Sequence, residues 1–427
     1  FVPESAGNVV AQFDLAGDGL SVTAAQRLYE DERWGERDFL GSADERFRPV
    51  DTMNGPDGAL YIVDMYRGII QDDHFLTDEL RDQIFQRGLE SPIGMGRIWR
   101  VKHSEGADTA AVNLADAGER QLLAALSHDN GWVRDTAQRL LLAREGNLAA
   151  PLSEIATGQT TVPALHALWT LSGRGELNRE LVLAALAMED SHRQVQALRA
   201  GRSLLQVQDI LALSESLAQA PLAVRMQLLF AASDHAADPR VRQVLLALGV
   251  NGDDIYLRQA LVRAARGHEY VLLGEAFASG ALATDSDGSR ELVASLTANA
   301  YRAIRTDLAS TDPADPALLE LLAMAQDRSG DAAWQQVAML TGFERVAEAS
   351  GFAPAQLEQA PPIFADGSIS EKDPLWDARL SGRRAFTWPG DELAMGIKPL
   401  SPEQLQAMAK GEVFYVQCAA CHGGDGK

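Results

Sequence analysis

Only two cysteines occur in the 427 residues, and they stand as Cys418-Ala419-Ala420-Cys421, followed at once by His422. Two thiols about one helical turn apart can add across the two vinyl groups of a porphyrin, and an imidazole directly after them can ligate iron from the proximal side. The pattern predicts haem c held covalently by Cys418 and Cys421, His422 as metal ligand, and one-electron transfer as the chemistry. The same spacing also suits a thioredoxin-like redox pair or half of a zinc site. No βαβ pattern surrounds the motif and no second Cys/His pair completes four ligands, so haem is the favoured reading.

A helix must carry this motif. Ser401 can cap it, Pro402 suits its first position, and Gln404 completes a Ser-x-x-Gln capping box. The helix runs toward Cys418 and brings Gly411 and Phe414 just ahead of it, a place for a close crossing and an aromatic for the porphyrin edge. A plain amphipathic helix accounts for Phe414 almost as well. The second axial ligand, often a Met from well downstream, has no counterpart in this sequence. The chain opens on Phe1 and ends five positions after His422, and we read it as a segment cut at both ends. Covalent haem attachment takes place outside the cytoplasm, and a chain without spare thiols suits an oxidising compartment, so a periplasmic or extracellular location is expected.

Upstream, the period of the sequence changes twice. Residues 1–103 read as strands and turns: Asn8–Leu15 and Leu20–Thr23 around Ala16-Gly17-Asp18-Gly19, then Phe47–Met53 and Ala59–Asp64 around Asn54-Gly55-Pro56-Asp57-Gly58, then Gly96–Val101. Short strands spaced this way suit terminal β-propeller blades, with residues 25–33 and 76–87 as helical insertions. From about Gly118 to Ala347 the period is helical. Second helices begin near Val133-Arg134, Val162-Pro163, Val195-Gln196, Val224-Arg225 and Leu257-Arg258, at intervals of 29, 33, 29 and 33 residues. That is the spacing of stacked helical hairpins.

The expected fold class is therefore mainly α. An α-solenoid of HEAT-like repeats (104–347) follows incomplete propeller blades (1–103) and leads, through a Pro- and Gly-rich wrapping linker (348–400), into the first helix of a truncated cytochrome c domain (401–427). Two tryptophans in the linker, Trp376 and Trp388, predict docking onto a neighbour.

A net charge of -22 repels phosphate backbones and anionic lipid, and no basic cluster offsets it, so nucleic acid is not an expected partner. No apolar run approaches the roughly 20 residues of a membrane-spanning helix. Expected partners are a redox protein and other proteins bound along the solenoid. No Gly-rich phosphate loop, Gly-x-Ser-x-Gly or His-Glu-x-x-His is present, and Asp72-Asp73 and Asp253-Asp254 are adjacent rather than facing.

The order of parts resembles the PVC-type haem-binding, membrane-bound-dehydrogenase-like family. The residues that carry the likeness are Phe47-Arg48-Pro49-Val50, Gly55-Pro56-Asp57-Gly58-Ala59-Leu60-Tyr61, Asp64-Met65-Tyr66-Arg67-Gly68, Gly96-Arg97-Ile98-Trp99-Arg100, Asn130-Gly131-Trp132-Val133-Arg134 and Phe386-Thr387-Trp388-Pro389-Gly390-Asp391. The resemblance implies a quinoprotein-like propeller dehydrogenase that oxidises a sugar-like or alcohol-like substrate, with pyrroloquinoline quinone or calcium as further cofactor candidates, and passes electrons to the haem. This sequence departs from the family in holding only the last blade or two, so the catalytic histidine of earlier blades has no counterpart and the catalytic residues stay unknown.

Other residues have plainer readings beside the functional one. Asp57 and Asp64 could bind calcium or a quinone-associated cation, but Asp57 sits in a Pro-Asp-Gly turn where it can cap its own backbone. His74 could face a cleft, although a lone histidine in an acidic loop is usually solvated. Trp132, Trp169 and Trp334 read as packing, and Arg134, Arg225 and Arg258 as pairing between repeats. Three functions follow: haem electron transfer, a helical protein-binding scaffold, and the electron exit of a dehydrogenase.

Overall fold

The computed structural model describes residues 1–17, 20–33, 35–105, 110–250, 254–310, 313–364 and 375–390. The chain divides into two units, Phe1–Val244 and Leu245–Lys427. Sixteen α-helices and a few small sheets are present among the described residues, and those sheets do not close into a propeller.

The first unit opens with β1 (Val2–Glu4), β2 (Val9–Gly17) and β3 (Val22–Arg27), an antiparallel run in which Val2 opposes Ala11 and Gln12 opposes Arg27. β4 (Tyr29–Asp31) pairs with β5 (Gly35–Arg37), and β6 (Leu40–Gly41) returns to β2. Residues 25–33 thus lie largely in strands, contrary to the helical expectation. Their helix-like periodicity is overridden by the cross-strand pairs of β3 with β2 and by the Arg27–Asp14 ion pair, which reward an extended backbone.

The second sheet is β7 (Pro49–Asn54), β8 (Leu60–Asp64) and, beyond α1 (Asp78–Gln86), β9 (Arg97–Val101), all antiparallel. The β7–β8 turn closes through Gly55 N–H to Ala59 O at 2.9 Å, and Gly58 takes φ +78°, a conformation that side chains resist. A Cβ on Gly55 would lie 2.1 Å from the Tyr61 ring, so the turn needs both glycines for different reasons. Val10, Phe47 and Ile62 form a buried cluster covered by Phe39, Leu40, Leu60 and Val101.

Helical hairpins follow: α2 (Glu119–Ala125) with α3 (Gly131–Ala143), α4 (Ala149–Ala156) with α5 (Thr161–Gly173), α6 (Arg179–Leu186) with α7 (Ser191–Gly201), and α8 (Val207–Ser216) with α9 (Leu222–Ser233). α10 (Pro239–Gly249) comes next. The helix starts are written in the sequence as caps. Asn130 accepts from Trp132 N–H, Asn178 from Leu181 N–H, and Asp190 from His192 and Arg193 N–H, each satisfying donors that no helical carbonyl can reach. In each hairpin the second helix packs on that of the next: α3 on α5, α5 on α7, α7 on α9. The sequence marks at Val133, Val162, Val195 and Val224 all fall in the first turns of these helices, which start at Gly131, Thr161, Ser191 and Leu222.

In the second unit, α11 (Ile255–Ala264), α12 (Glu269–Ala278) and α13 (Asp287–Ile304) precede α14 (Pro316–Gln326) and α15 (Ala333–Ala347). The described residues beyond 348 are not featureless. β10 (Ala355–Gln356) pairs in parallel with β11 (Phe386–Thr387), and α16 (Trp376–Arg383) lies between them in sequence. Phe386 packs edge-on against Tyr301 and Phe343 at 5.9 and 5.1 Å, Trp388 stacks on Phe364 at 6.1 Å, and the Arg383 guanidinium sits 4.4 Å over Trp388. The buried Tyr301 hydroxyl donates to Ala385 O at 3.0 Å, so the segment is held by polar as well as apolar contacts.

Candidate functional site

Cys418, Cys421 and His422, with Gly411 and Phe414, lie outside the described residues. Among those that are described, a dense group of polar side chains forms where β8 ends. Asp64 is buried, at 1% exposure, and a buried carboxylate requires hydrogen-bond donors. It has three: Arg48 N–H and Tyr66 N–H reach Oδ1 at 2.8 and 2.7 Å, and the Trp99 indole N–H reaches Oδ2 at 2.8 Å. These bonds tie β8 to β9 and hold the loop that follows, in which Tyr66 adopts φ +43°, a left-handed backbone unusual for an aromatic residue.

The Tyr66 hydroxyl donates to Asp44 Oδ2 at 2.7 Å, which lowers the Asp44 pKa and, with Asp44 as acceptor, raises that of the phenol. Arg97, the cross-strand partner of Asp64, places its guanidinium 3.5 Å from the Tyr66 ring centroid. Beside them the buried Arg48 guanidinium spans the chain. Nε donates to Arg67 O, Nη1 to Ser5 O and Ala6 O, and Nη2 to Gly68 O, and burial lowers its pKa. The groups are spent largely on one another, so the arrangement positions the 64–68 loop and presents an aromatic and guanidinium surface rather than a nucleophile with a base.

Asp57 takes the turn role. Oδ1 accepts from Ala59 N–H at 3.1 Å, and Oδ2 from Tyr61 OH at 3.2 Å and Arg100 Nε at 2.6 Å. A cation at Asp57 or Asp64 would have to displace N–H and O–H donors. Among the described residues no group of three or more His, Cys, Asp or Glu side chains stands together as metal ligands. His74 is exposed and meets Phe75 edge-on at 5.6 Å, while Asp72 accepts from His74 N–H. Asp254 caps α11, and Asp253 lies outside the described residues.

The tryptophans pack as helix-face residues do. Trp334 is buried, Trp169 is half-buried and donates to Gln196 Oε1 at 3.1 Å, and Trp132 is half-buried at the start of α3. The arginines expected to pair repeats behave differently from one another. Arg134 donates to His128 O and Asp129 O in its own hairpin and touches His166 Nε2 at 3.4 Å in the next. The Arg225 Nε is buried without a hydrogen-bond partner among the described residues, and Arg258 packs on Gly288. Ion pairs between successive hairpins come instead from Arg179 with Asp209 and Arg202 with Asp234. These arginines stand at or beside a helix end, where no apolar periodicity draws attention to them.

His166 shows how the hairpins are joined. Its Nδ1 lies 2.6 Å from Gln138 Oε1 and its Nε2 faces Arg134, an arrangement that suits a neutral ring donating from Nδ1 and accepting at Nε2. Burial lowers its pKa.

Residues 1–105 match a family described as a domain of unknown function (DUF7133). No curated protein matches the chain, and neither does any solved structure. No helix of the described residues is long and apolar enough to cross a membrane.

Proposed function

We propose that this protein is a c-type haem electron carrier that acts outside the cytoplasm and delivers single electrons to a redox partner protein. The observation that carries the reading is Cys418-Ala419-Ala420-Cys421-His422 in a chain with no other thiol. Two thiols and an imidazole are the donor set that haem c requires, and the group, when bound, supplies a one-electron couple. In this reading Cys418 and Cys421 hold the porphyrin and His422 holds the iron.

The remainder of the chain is read around that centre. The N-terminal sheets are the closing blades of a β-propeller dehydrogenase for sugar-like or alcohol-like substrates, and the haem is its electron exit. The hairpins of 104–347 form a HEAT-like α-solenoid, a reading supported by the packing of α3 on α5, α5 on α7 and α7 on α9 within the first unit. Pyrroloquinoline quinone and calcium carry no step in this reading, because the carboxylates considered for them are engaged with N–H and O–H donors.

The test is to produce the protein with haem-attachment machinery outside the cytoplasm and record its spectrum and intact mass. A reversible Soret and α-band change with the mass of one added porphyrin is expected. Thiols found free, or joined to each other, in a colourless product would overturn the proposal.

A second reading makes the chain chiefly a protein-binding scaffold, favoured by the same row of hairpins, since such rows offer extended surfaces to partners. Partner binding that persists unchanged in a Cys418→Ala, Cys421→Ala variant would favour it.

A further inference from the structure

A concavity of the second unit lies between α11 and the last turn of α13, its walls part apolar and part charged. It is open to solvent, offers about 560 Å³, and is lined by Gln259, Arg263, Arg266, Glu269, Asn299 and Arg302, among others. Three arginines and one glutamate are among its lining residues, in a chain whose net charge is -22. Like charges gathered in one concavity repel, and the local sign opposes that of the whole protein.

Arginines in the last turn of a helix commonly answer its carbonyl ends, which would be the plain explanation for Arg263 and Arg302. Other arginines at helix ends are spent on backbone carbonyls of neighbouring segments. Arg174 donates to Leu141 O, Arg144 O and Gly146 O, and Arg305 donates to Ala353 O. In the concavity, by contrast, the side chains of Arg263 and Arg266 donate no hydrogen bond to any described residue, and neither do the amides of Gln259 and Asn299. Arg302 makes one long bond, 3.3 Å to Arg345 O. Glu269 is turned inward, 5% exposed, and its Oε2 accepts from Gly267 N–H at 2.8 Å, so it is already partly spent. Donor capacity that is used elsewhere in the fold is left facing this space.

We infer that this concavity is a binding site for a small organic polyanion, one that carries at least two carboxylate or phosphate groups. The volume suits a ligand of metabolite size rather than a bare ion. Guanidinium forks match the paired oxygens of carboxylate and phosphate, and three of them favour a multiply charged ligand over a monoanion. Gln259 and Asn299 add neutral donors that would orient it. The site is independent of the haem reading, because no residue of it belongs to the Cys418–His422 motif.

The experiment is isothermal titration of the full chain with citrate and with inorganic pyrophosphate as probes of the two oxyanion types, at constant ionic strength. Saturable 1:1 binding of at least one probe is expected, weakened tenfold or more in Arg263→Gln and in Arg266→Gln. These arginines are exposed, so unchanged thermal melting of the unliganded variants should accompany the loss. Preference for citrate would assign carboxylate groups, and preference for pyrophosphate would assign phosphate. Failure of both probes to bind saturably, or binding equal in wild type and both variants, would overturn the inference.

Discussion

The indole N–H of Trp99 donates to Oδ2 of Asp64 at 2.8 Å, joining two residues 35 positions apart. The other carboxylate oxygen, Oδ1, receives two backbone N–H groups. One side-chain contact therefore completes the coordination of a buried carboxylate and pins β9 to β8 where the Tyr66 loop begins.

Trp99→Phe keeps an aromatic ring and removes the donor. Leaving a buried charged acceptor short of a partner costs about 1–3 kcal/mol, so the urea midpoint of the variant should fall, with m unchanged. A midpoint equal to wild type would mean that water replaces the indole fully.

Arg48→Lys should be worse than the conservative label suggests. The guanidinium bridges the Ser5, Ala6, Arg67 and Gly68 carbonyls from one rigid fork, and a lysine ammonium cannot span them. A loss of about 2–4 kcal/mol is expected from several buried charge-assisted bonds, read by denaturant titration.

At Gly342 in α15 two rules predict opposite signs. Helix propensity alone makes Gly→Ala stabilising by roughly 1 kcal/mol. A Cβ there, however, would lie 2.6 Å from Ala294 O and 2.7 Å from Thr297 Cβ of α13, and backbone cannot swing aside. Gly342→Ala should therefore lower the melting temperature, since overpacking costs about 1–3 kcal/mol; a rise would show that the two helices separate freely.

His166 gives a pH dependence with a definite sign. Burial lowers its pKa below the ordinary 6.5, so the unfolded chain takes up a proton before the folded one does as pH falls. Its contribution is fully present above pH 6.5 and is lost as pH drops through the folded value. His166→Gln should flatten the stability profile across that window relative to wild type, measured by denaturation at stepped pH.

For the haem reading, Cys418→Ala or Cys421→Ala should leave at most a single thioether, and His422→Ala should shift the Soret band while leaving both thioethers in place. Spectra of His422→Ala identical to wild type would remove His422 as the iron ligand.

Much of the local structure was legible in the sequence because local physics decides it. The turn at Gly55-Pro56-Asp57-Gly58 and the alternate helices beginning near Val133, Val162, Val195, Val224 and Leu257 rest on interactions within a few residues. The Cys418–His422 motif is likewise read from neighbours in sequence. Residues 25–33 misled, because their strands exist only through pairing with β2 and β5, and helix-like spacing carries no record of those partners.

Tertiary structure alone decided which polar side chains are spent and which remain available. Arg48, Arg97 and Arg263 are the same residue type in ordinary sequence contexts, yet one is buried among carbonyls, one stacks on Tyr66 and one faces an open concavity. Hydrogen-bond satisfaction depends on atoms brought together from distant positions, and a linear sequence names the donors without saying where the acceptors will be.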